Sequence, residues 1–287
     1  MMTSFPLIMD GAMGTELMDR GLKMPLPLCS ADTNITEPEI VKAVHIDYVN
    51  AGADIIGTNT FRTTTWTYRK VGFSHKVSQS RARSSLMKAV DLARESNPKI
   101  LGASLTSIED CYMPKNFPGR LYAKEVYAQT LDWMIDAGVD LFLFETMGNI
   151  KEIETLLSAS NISIHRKWLS IVLKSENELL DGSSINKAIS LAKTHSIDTF
   201  LINCTTVDIL QGALKYVKSN WNKDWGVYPN VGKNMPEKDG FIKDKHNNKE
   251  ISNFLKMVYE DGAKVIGVCC GSTPDTISNI VKTLERN

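Results

Sequence analysis

The sequence predicts one (βα)8 TIM barrel, an α/β domain covering residues 1–287. Three observations point there. Short apolar, β-branched runs alternate with amphipathic helical segments, the pattern of parallel strands joined by helices. The alternation occurs eight times within a length usual for that barrel. The strand candidates are apolar almost throughout, as expected when both sheet faces are covered. An open doubly wound sheet is the alternative, but Asp10-Gly11-Ala12-Met13-Gly14 after the first run lacks the G-x-G-x-x-G spacing of its phosphate loop.

The elements follow in order. Residues 5–9 read as strand one, ending in the glycine-rich turn 10–15. Thr36-Glu37-Pro38-Glu39 reads as a helix start, with Thr36 as cap, Pro38 in the first turn and acids at the positive end of the dipole. Ile40, Val41, Val44, Tyr48 and Val49 then recur at helical spacing up to Ala51-Gly52-Ala53. Strands are expected at 54–60, 99–105, 139–146, 167–174, 198–203, 225–229 and 264–268. Helices are expected at 77–95, 122–137, 150–159, 184–194, 207–217, 250–261 and from Pro274 onward. Segments after strands (59–76, 106–120, 230–248) are long, whereas turns after helices are brief. In a barrel the long loops stand at the carboxyl ends of the strands, where function sits. The polar tract 232–248 reads either as a mobile lid or as a plain solvated loop.

Composition narrows the class. Basic and acidic residues number 33 each, the formal net charge is +0, and no charged tail stands out. Nothing therefore suggests a nucleic-acid groove or a membrane surface. The N-terminus lacks a basic segment followed by a long apolar one, and no apolar run approaches the ~18 residues of a span. The five cysteines show no disulfide-scaffold spacing. A reducing, cytoplasmic setting is expected, in which clustered cysteines serve metal binding or catalysis.

The expected strand ends bring Asp10, Asn59, Ser104, Glu145, Lys174, Cys204, Asn230, Cys269 and Cys270 to one mouth. Adjacent cysteines alone could be small buried hydrophobes. Cys204 ends strand six, however, and Cys269-Cys270 end strand eight, so the three bracket strand seven and can share one ion. Three thiolates suggest zinc with an open fourth position. Such a set leaves the centre net negative, poor for making hydroxide but suited to holding a substrate thiol as thiolate. The five histidines fall in helices or loops and read as surface or structural; Cys29 and Cys111 have no matching partners. Glu145 could hold a substrate ammonium or form an internal ion pair with Lys174. Asp10 and the N–H groups after it could bind an amino acid's charged end, or simply stabilise a turn.

MDGAMGTEL (9–17), AGADIIGTNTF (51–61), FETM (144–147), INC (202–204), YPN (228–230) and IGVCCGSTP (266–274) resemble, in order, the homocysteine S-methyltransferase family. Three departures stand out: Val268 where a second glycine usually precedes the cysteines, Val231-Gly232 after Asn230, and Ser104-Leu105-Thr106-Ser107-Ile108-Glu109-Asp110-Cys111-Tyr112 where many members carry a Ser-x-Gly-Pro type loop. The resemblance implies Zn2+ on Cys204, Cys269 and Cys270 with the sulfur of L-homocysteine as fourth ligand. It also implies Asp10, Gly11, Ala12, Asn59, Glu145 and Asn230 as substrate-binding residues. The implied reaction is in-line attack of the bound thiolate on the methyl of a sulfonium donor, S-methylmethionine or S-adenosylmethionine, giving methionine. Betaine as donor or selenocysteine as acceptor are the near alternatives. A structural-zinc barrel and a Schiff-base lyase or aldolase using Lys174 are the distant ones.

Overall fold

The computed structural model describes residues 5–162, 165–237 and 242–286. Ten strands occur among them: β1 (Leu7–Ile8), β2 (Ile55–Gly57), β3 (Ile100–Leu105), β4 (Leu141–Met147), β5 (Arg166–Ile171), β6 (Leu173–Ser175), β7 (Glu178–Leu179), β8 (Thr199–Asn203), β9 (Asp224–Tyr228) and β10 (Val265–Ile266). Eight form one parallel sheet in the order β1-β10-β9-β8-β5-β4-β3-β2. The ring closes between its ends: Met9 pairs with Ile55, Asp54 N–H donates to Ile8 O at 2.8 Å and Asp10 N–H to Ile55 O at 3.0 Å. Closure leaves no exposed sheet edge. The expected barrel is therefore the observed one.

Period-two alternation sorts the strand residues. Met9, Ile55, Ile100, Leu141, Leu143, Trp168, Leu201, Tyr228 and Val265 pack against one another as an inner cluster. Their neighbours Ile8, Ile56, Leu101, Phe142, Phe144, Leu169, Phe200, Ile202 and Val227 belong to the larger cluster shared with the helices. The helices Pro38–Asn50, His75–Arg94, Arg120–Asp136, Ile150–Ala159, Ile185–Thr194, Val207–Asn220, Asn248–Glu260 and Pro274–Thr283 supply the outer layer. None of the described helices is long and apolar enough to cross a membrane.

Several local readings differ. Strand five stops at Ile171, and Leu173 instead opens the antiparallel hairpin β6–β7, which leaves Lys174 exposed. The helix after strand one is preceded by two short ones, Met13–Asp19 and Thr33–Thr36, and another, Thr65–Lys70, occupies the loop after β2. Thr36 does not cap Pro38–Asn50. It ends the short helix Thr33–Thr36, and its hydroxyl donates back to Asp32 O at 3.3 Å. Of the tract 232–248, where a lid was one expectation, residues 238–241 lie outside those described. Its two flanks pair at Gly232 and Lys245, and Lys245 Nζ donates to Gly271 O at 3.0 Å, fixing the base of the tract beside the paired cysteines.

Candidate metal centre and amino-acid site

The ladder itself sets the cysteines in place. Cys204 N–H donates to Tyr228 O at 3.3 Å and Cys269 N–H to Pro229 O at 2.7 Å, so the two flank the end of β9 from opposite sides. The Sγ atoms of Cys204, Cys269 and Cys270 all lie within 4.8 Å of one another. Cys204 and Cys269 sulfurs are in contact, and Cys269 and Cys270 sulfurs are 4.0 Å apart. Among the described residues this is the one group of cysteine, histidine and acidic side chains placed to hold a metal.

Neighbouring groups are aimed at the sulfurs. Asn203 Nδ2 is 3.4 Å and Thr146 Oγ1 3.6 Å from Cys204 Sγ, both as donors. The Tyr112 hydroxyl lies 3.9 Å from Cys270 Sγ. Asn203 is the hub: its Oδ1 accepts from Thr146 N–H at 3.0 Å and Ser170 Oγ at 2.8 Å, and its Nδ2 also donates to Thr146 Oγ1 at 2.8 Å. Thr146 (φ 56°) and Cys204 (φ 48°) are both in the left-handed region, which non-glycine residues seldom adopt and which gathers at functional sites. Burial pushes the Cys270 thiol up, opposed by the Tyr112 hydroxyl and assisted by the charge of Glu145. A divalent cation held by the three sulfurs would favour their deprotonated form. The donor set thus fits a thiophilic metal.

Glu145 faces the mouth because it continues the inward series Leu141, Leu143. Ser104 Oγ donates to its Oε1 and Tyr228 OH to its Oε2 at 3.2 Å. Burial raises its pKa, and those two hydrogen bonds offset part of the rise. Asp10 accepts from Gly57 N–H at 2.9 Å; burial, and then the nearby Glu145 charge, hold its pKa well above the usual carboxylate range. Neither carboxylate has a cationic side-chain partner among the described residues. The ion pair with Lys174 is absent: Lys174 is exposed on its hairpin, and the Schiff-base reading loses its buried amine.

The other expected residues are arranged as follows. A Cβ on Gly11 would lie 2.6 Å from Ser272 Oγ and from the Tyr48 ring, so this turn requires glycine. The expectation of free N–H groups after Asp10 fails at Ala12, whose N–H donates to Ser272 Oγ at 3.0 Å; the loop is braced from the last strand's far side. Asn59 is spent internally, donating to Ser30 O and Asn34 Oδ1 and accepting from Ser30 Oγ. Asn230 Nδ2 donates to Cys204 O at 3.0 Å, while its buried Oδ1 has no partner. Val268, the departure beside the cysteines, packs into the outer cluster and away from the mouth. Gly267 takes the inward position, where a Cβ would stand 2.5 Å from Met9 Cβ. Asn203, Thr146, Tyr112, Tyr228 and Ser272 were not singled out from the sequence. Four of them lie inside the quoted family-like segments and Tyr112 in the departing loop 104–112, so those segments were the available signal.

Comparison with known proteins gives the same picture. The profile of the homocysteine S-methyltransferase family matches residues 7–284. Homocysteine S-methyltransferase 2 of Zea mays is 30% identical over 315 residues, covering 98% of this chain and 90% of its own length. Homocysteine S-methyltransferase of Escherichia coli (strain K12) is 27% identical, covering 95% and 93%. The fold is shared with the metallated form of the homocysteine methyltransferase MmuM from Escherichia coli, at a TM-score of 0.84 and 24% identity over 97% of this chain and 96% of that one. The chain belongs to the homocysteine S-methyltransferase family.

Proposed function

We propose that this chain transfers a methyl group from a sulfonium donor, S-methylmethionine or S-adenosylmethionine, to the sulfur of L-homocysteine in a zinc-dependent reaction that yields methionine. One observation carries the reading. A three-thiol cluster and a pair of cation-free carboxylates share one barrel mouth, close enough for Glu145 to act electrostatically on Cys270. A ligand with sulfur at one end and an ammonium at the other complements that arrangement.

Cys204, Cys269 and Cys270 would hold the metal. Zinc bound there supplies Lewis acidity that keeps a coordinated substrate sulfur deprotonated at neutral pH. Glu145 and Asp10 receive the ammonium, whose charge offsets the burial that raises both carboxyls and the Glu145 repulsion that raises Asp10 further. The Gly11-Ala12 turn, braced by Ser272 and Tyr48, forms the wall beside the carboxylate end. Asn230 Oδ1 offers a further acceptor. Asn203 and Thr146 fix Cys204, and Asn59 fixes the segment 30–34 at the rim. In the transfer, the donor's S–CH3 bond breaks as the new S–C bond forms, and the departing sulfide keeps the electron pair. Metal binding needs all three cysteines reduced, with no Cys204–Cys269 bond, a state that suits the cytoplasm.

The test is methionine formation from homocysteine with each donor, betaine included, alongside the zinc content of Cys204→Ala. Loss of bound zinc together with a drop in activity of about 10³-fold or more is expected. Full zinc and full activity in that variant would overturn the reading.

A further inference from the structure

Arg62 is anomalous. It sits in the loop after β2 and is only 6% exposed. One of its nitrogens, Nη1, donates to Glu109 O at 3.1 Å. Its Nε is buried with no partner, and no carboxylate among the described residues pairs with the guanidinium. Two acids lie in the facing loop, yet both are turned elsewhere. The Glu109 carboxylate accepts from Trp66 Nε1 at 2.8 Å and pairs with Lys70, and Asp110 Oδ1 accepts from Tyr112 N–H at 3.0 Å. A buried guanidinium left without an anion is costly, so the fold tolerates it only where something compensates.

Its position indicates what that is. Arg62 lies over the Phe61 ring at 5.9 Å and beside the Cys29 thiol, with which it interacts by charge and hydrogen bonding. It is also near Cys111, which lies within electrostatic reach of Cys270; none of these supplies a carboxylate. Tyr112, next in the chain, reaches Cys270 with its hydroxyl. Arg62 is thus placed behind the loop 106–113, on the cysteine side of the mouth. Its Nη1 hydrogen bond goes to Glu109 O, whereas Asp10 and Glu145 are engaged by Gly57 N–H, Ser104 and Tyr228. In an α-amino acid one carbon separates ammonium from carboxylate, so an acceptor whose ammonium sits between Asp10 and Glu145 keeps its carboxylate beside them and leaves Arg62 for the second substrate. The unused Nε edge of a guanidinium presents donors in the geometry that matches a carboxylate.

We propose that Arg62 binds the carboxylate of the methyl donor and selects onium donors that carry one. This deepens the methyl-transfer reading and rests on it. It also gives a meaning to the departure at 104–112: the loop that replaces the Ser-x-Gly-Pro type presents its Glu109 carbonyl to Arg62 while diverting both of its carboxylates from the guanidinium.

The test uses the full-length, metal-loaded protein and the variants Arg62→Gln and Arg62→Lys, each checked for an unchanged melting curve. Turnover is measured with S-methylmethionine, which carries a carboxylate, and with trimethylsulfonium, which does not. Binding of S-methylmethionine without homocysteine is measured by calorimetry. In Arg62→Gln the KM and Kd for S-methylmethionine should rise about 10- to 100-fold, the scale of a lost charge-assisted pair. The homocysteine KM and the turnover of trimethylsulfonium should stay within twofold, and Arg62→Lys should recover part of the loss. An equal loss with both donors, a shift confined to the homocysteine KM, or an unchanged S-methylmethionine Kd would overturn the proposal. If the wild type transfers no methyl group yet binds S-methylmethionine through Arg62, the functional reading fails and the subsite stands.

Discussion

The two rims of the barrel use the same side chain in opposite ways. At the amino-terminal rim, aspartates just before the strands accept neighbouring backbone N–H groups: Asp54 from Ile8 at 2.9 Å, Asp140 from Leu101 at 2.7 Å and Asp198 from Lys167 at 2.7 Å. Asp54 is also clasped by Arg286 through two hydrogen bonds of 2.6 Å. Burial pushes the Asp54 carboxyl up, but Arg286, the Ile8 N–H and the charge of Lys99 outweigh it, and its pKa is lowered. At the carboxyl-terminal rim, Asp10 and Glu145 are buried beside each other without a cation, and both carboxyls are raised. One rim spends its carboxylates on holding the barrel together. The other hydrogen-bonds them but gives them no cation, and that pattern marks a place where a ligand completes the charge balance.

Three substitutions probe this contrast, in decreasing order of effect. Glu145→Gln should lower kcat/KM for homocysteine by about 10²- to 10³-fold, through loss of a buried ammonium partner. The same change should raise the stability of the unliganded protein at pH 7–8. A raised carboxyl binds its proton more tightly folded than unfolded, so the ionisation penalty grows as pH rises through the raised pKa. Variant and wild type should converge as pH falls towards the ordinary carboxylate range; a Glu145→Gln protein less stable at pH 8 would break the comparison. Asp54→Ala should do the reverse, costing about 3 kcal/mol of unfolding free energy by stranding Arg286 and the Ile8 N–H, with KM values unchanged. Because the Asp54 pKa is lowered, its contribution is fully present above the unfolded carboxylate pKa. It disappears as pH falls through the folded value, which urea titrations at pH 7 and at acid pH would show. Lys174→Met, at an exposed charge on the β6–β7 hairpin, should change stability by no more than about 0.5 kcal/mol and leave methionine formation intact. Loss of activity there would restore a chemical role to that lysine.

The barrel was legible because its signal is periodic and local. Apolar runs, helix starts such as Thr273-Pro274 and the order of the cysteines all survive in one dimension. The end of strand five was misplaced because Val172 and Leu173 continue the apolar run, although the chain there turns into a hairpin. The cysteine trio could be assembled from strand order alone, since the ladder dictates which ends are neighbours. What surrounds it could not. Asn203 gains its meaning from Ser170 and Thr146, and Ala12 is held by a hydroxyl 260 residues away. Polar contacts across such separations leave no periodic trace. Arg62 likewise reads as an ordinary loop cation until its lack of an anion is seen in three dimensions.

The closing ladder has a consequence for how the protein comes into being. β1 pairs with β10, so the turn after Met9 meets Ser272 only when the last strand has joined the ring. During synthesis the chain acquires Asp10 at the start, Glu145 halfway and Cys269-Cys270 well after both. A growing chain therefore carries both rim carboxylates before the three-sulfur cluster is complete. On the proposed reading, metal capture would be the final event of maturation and would report that the barrel has closed.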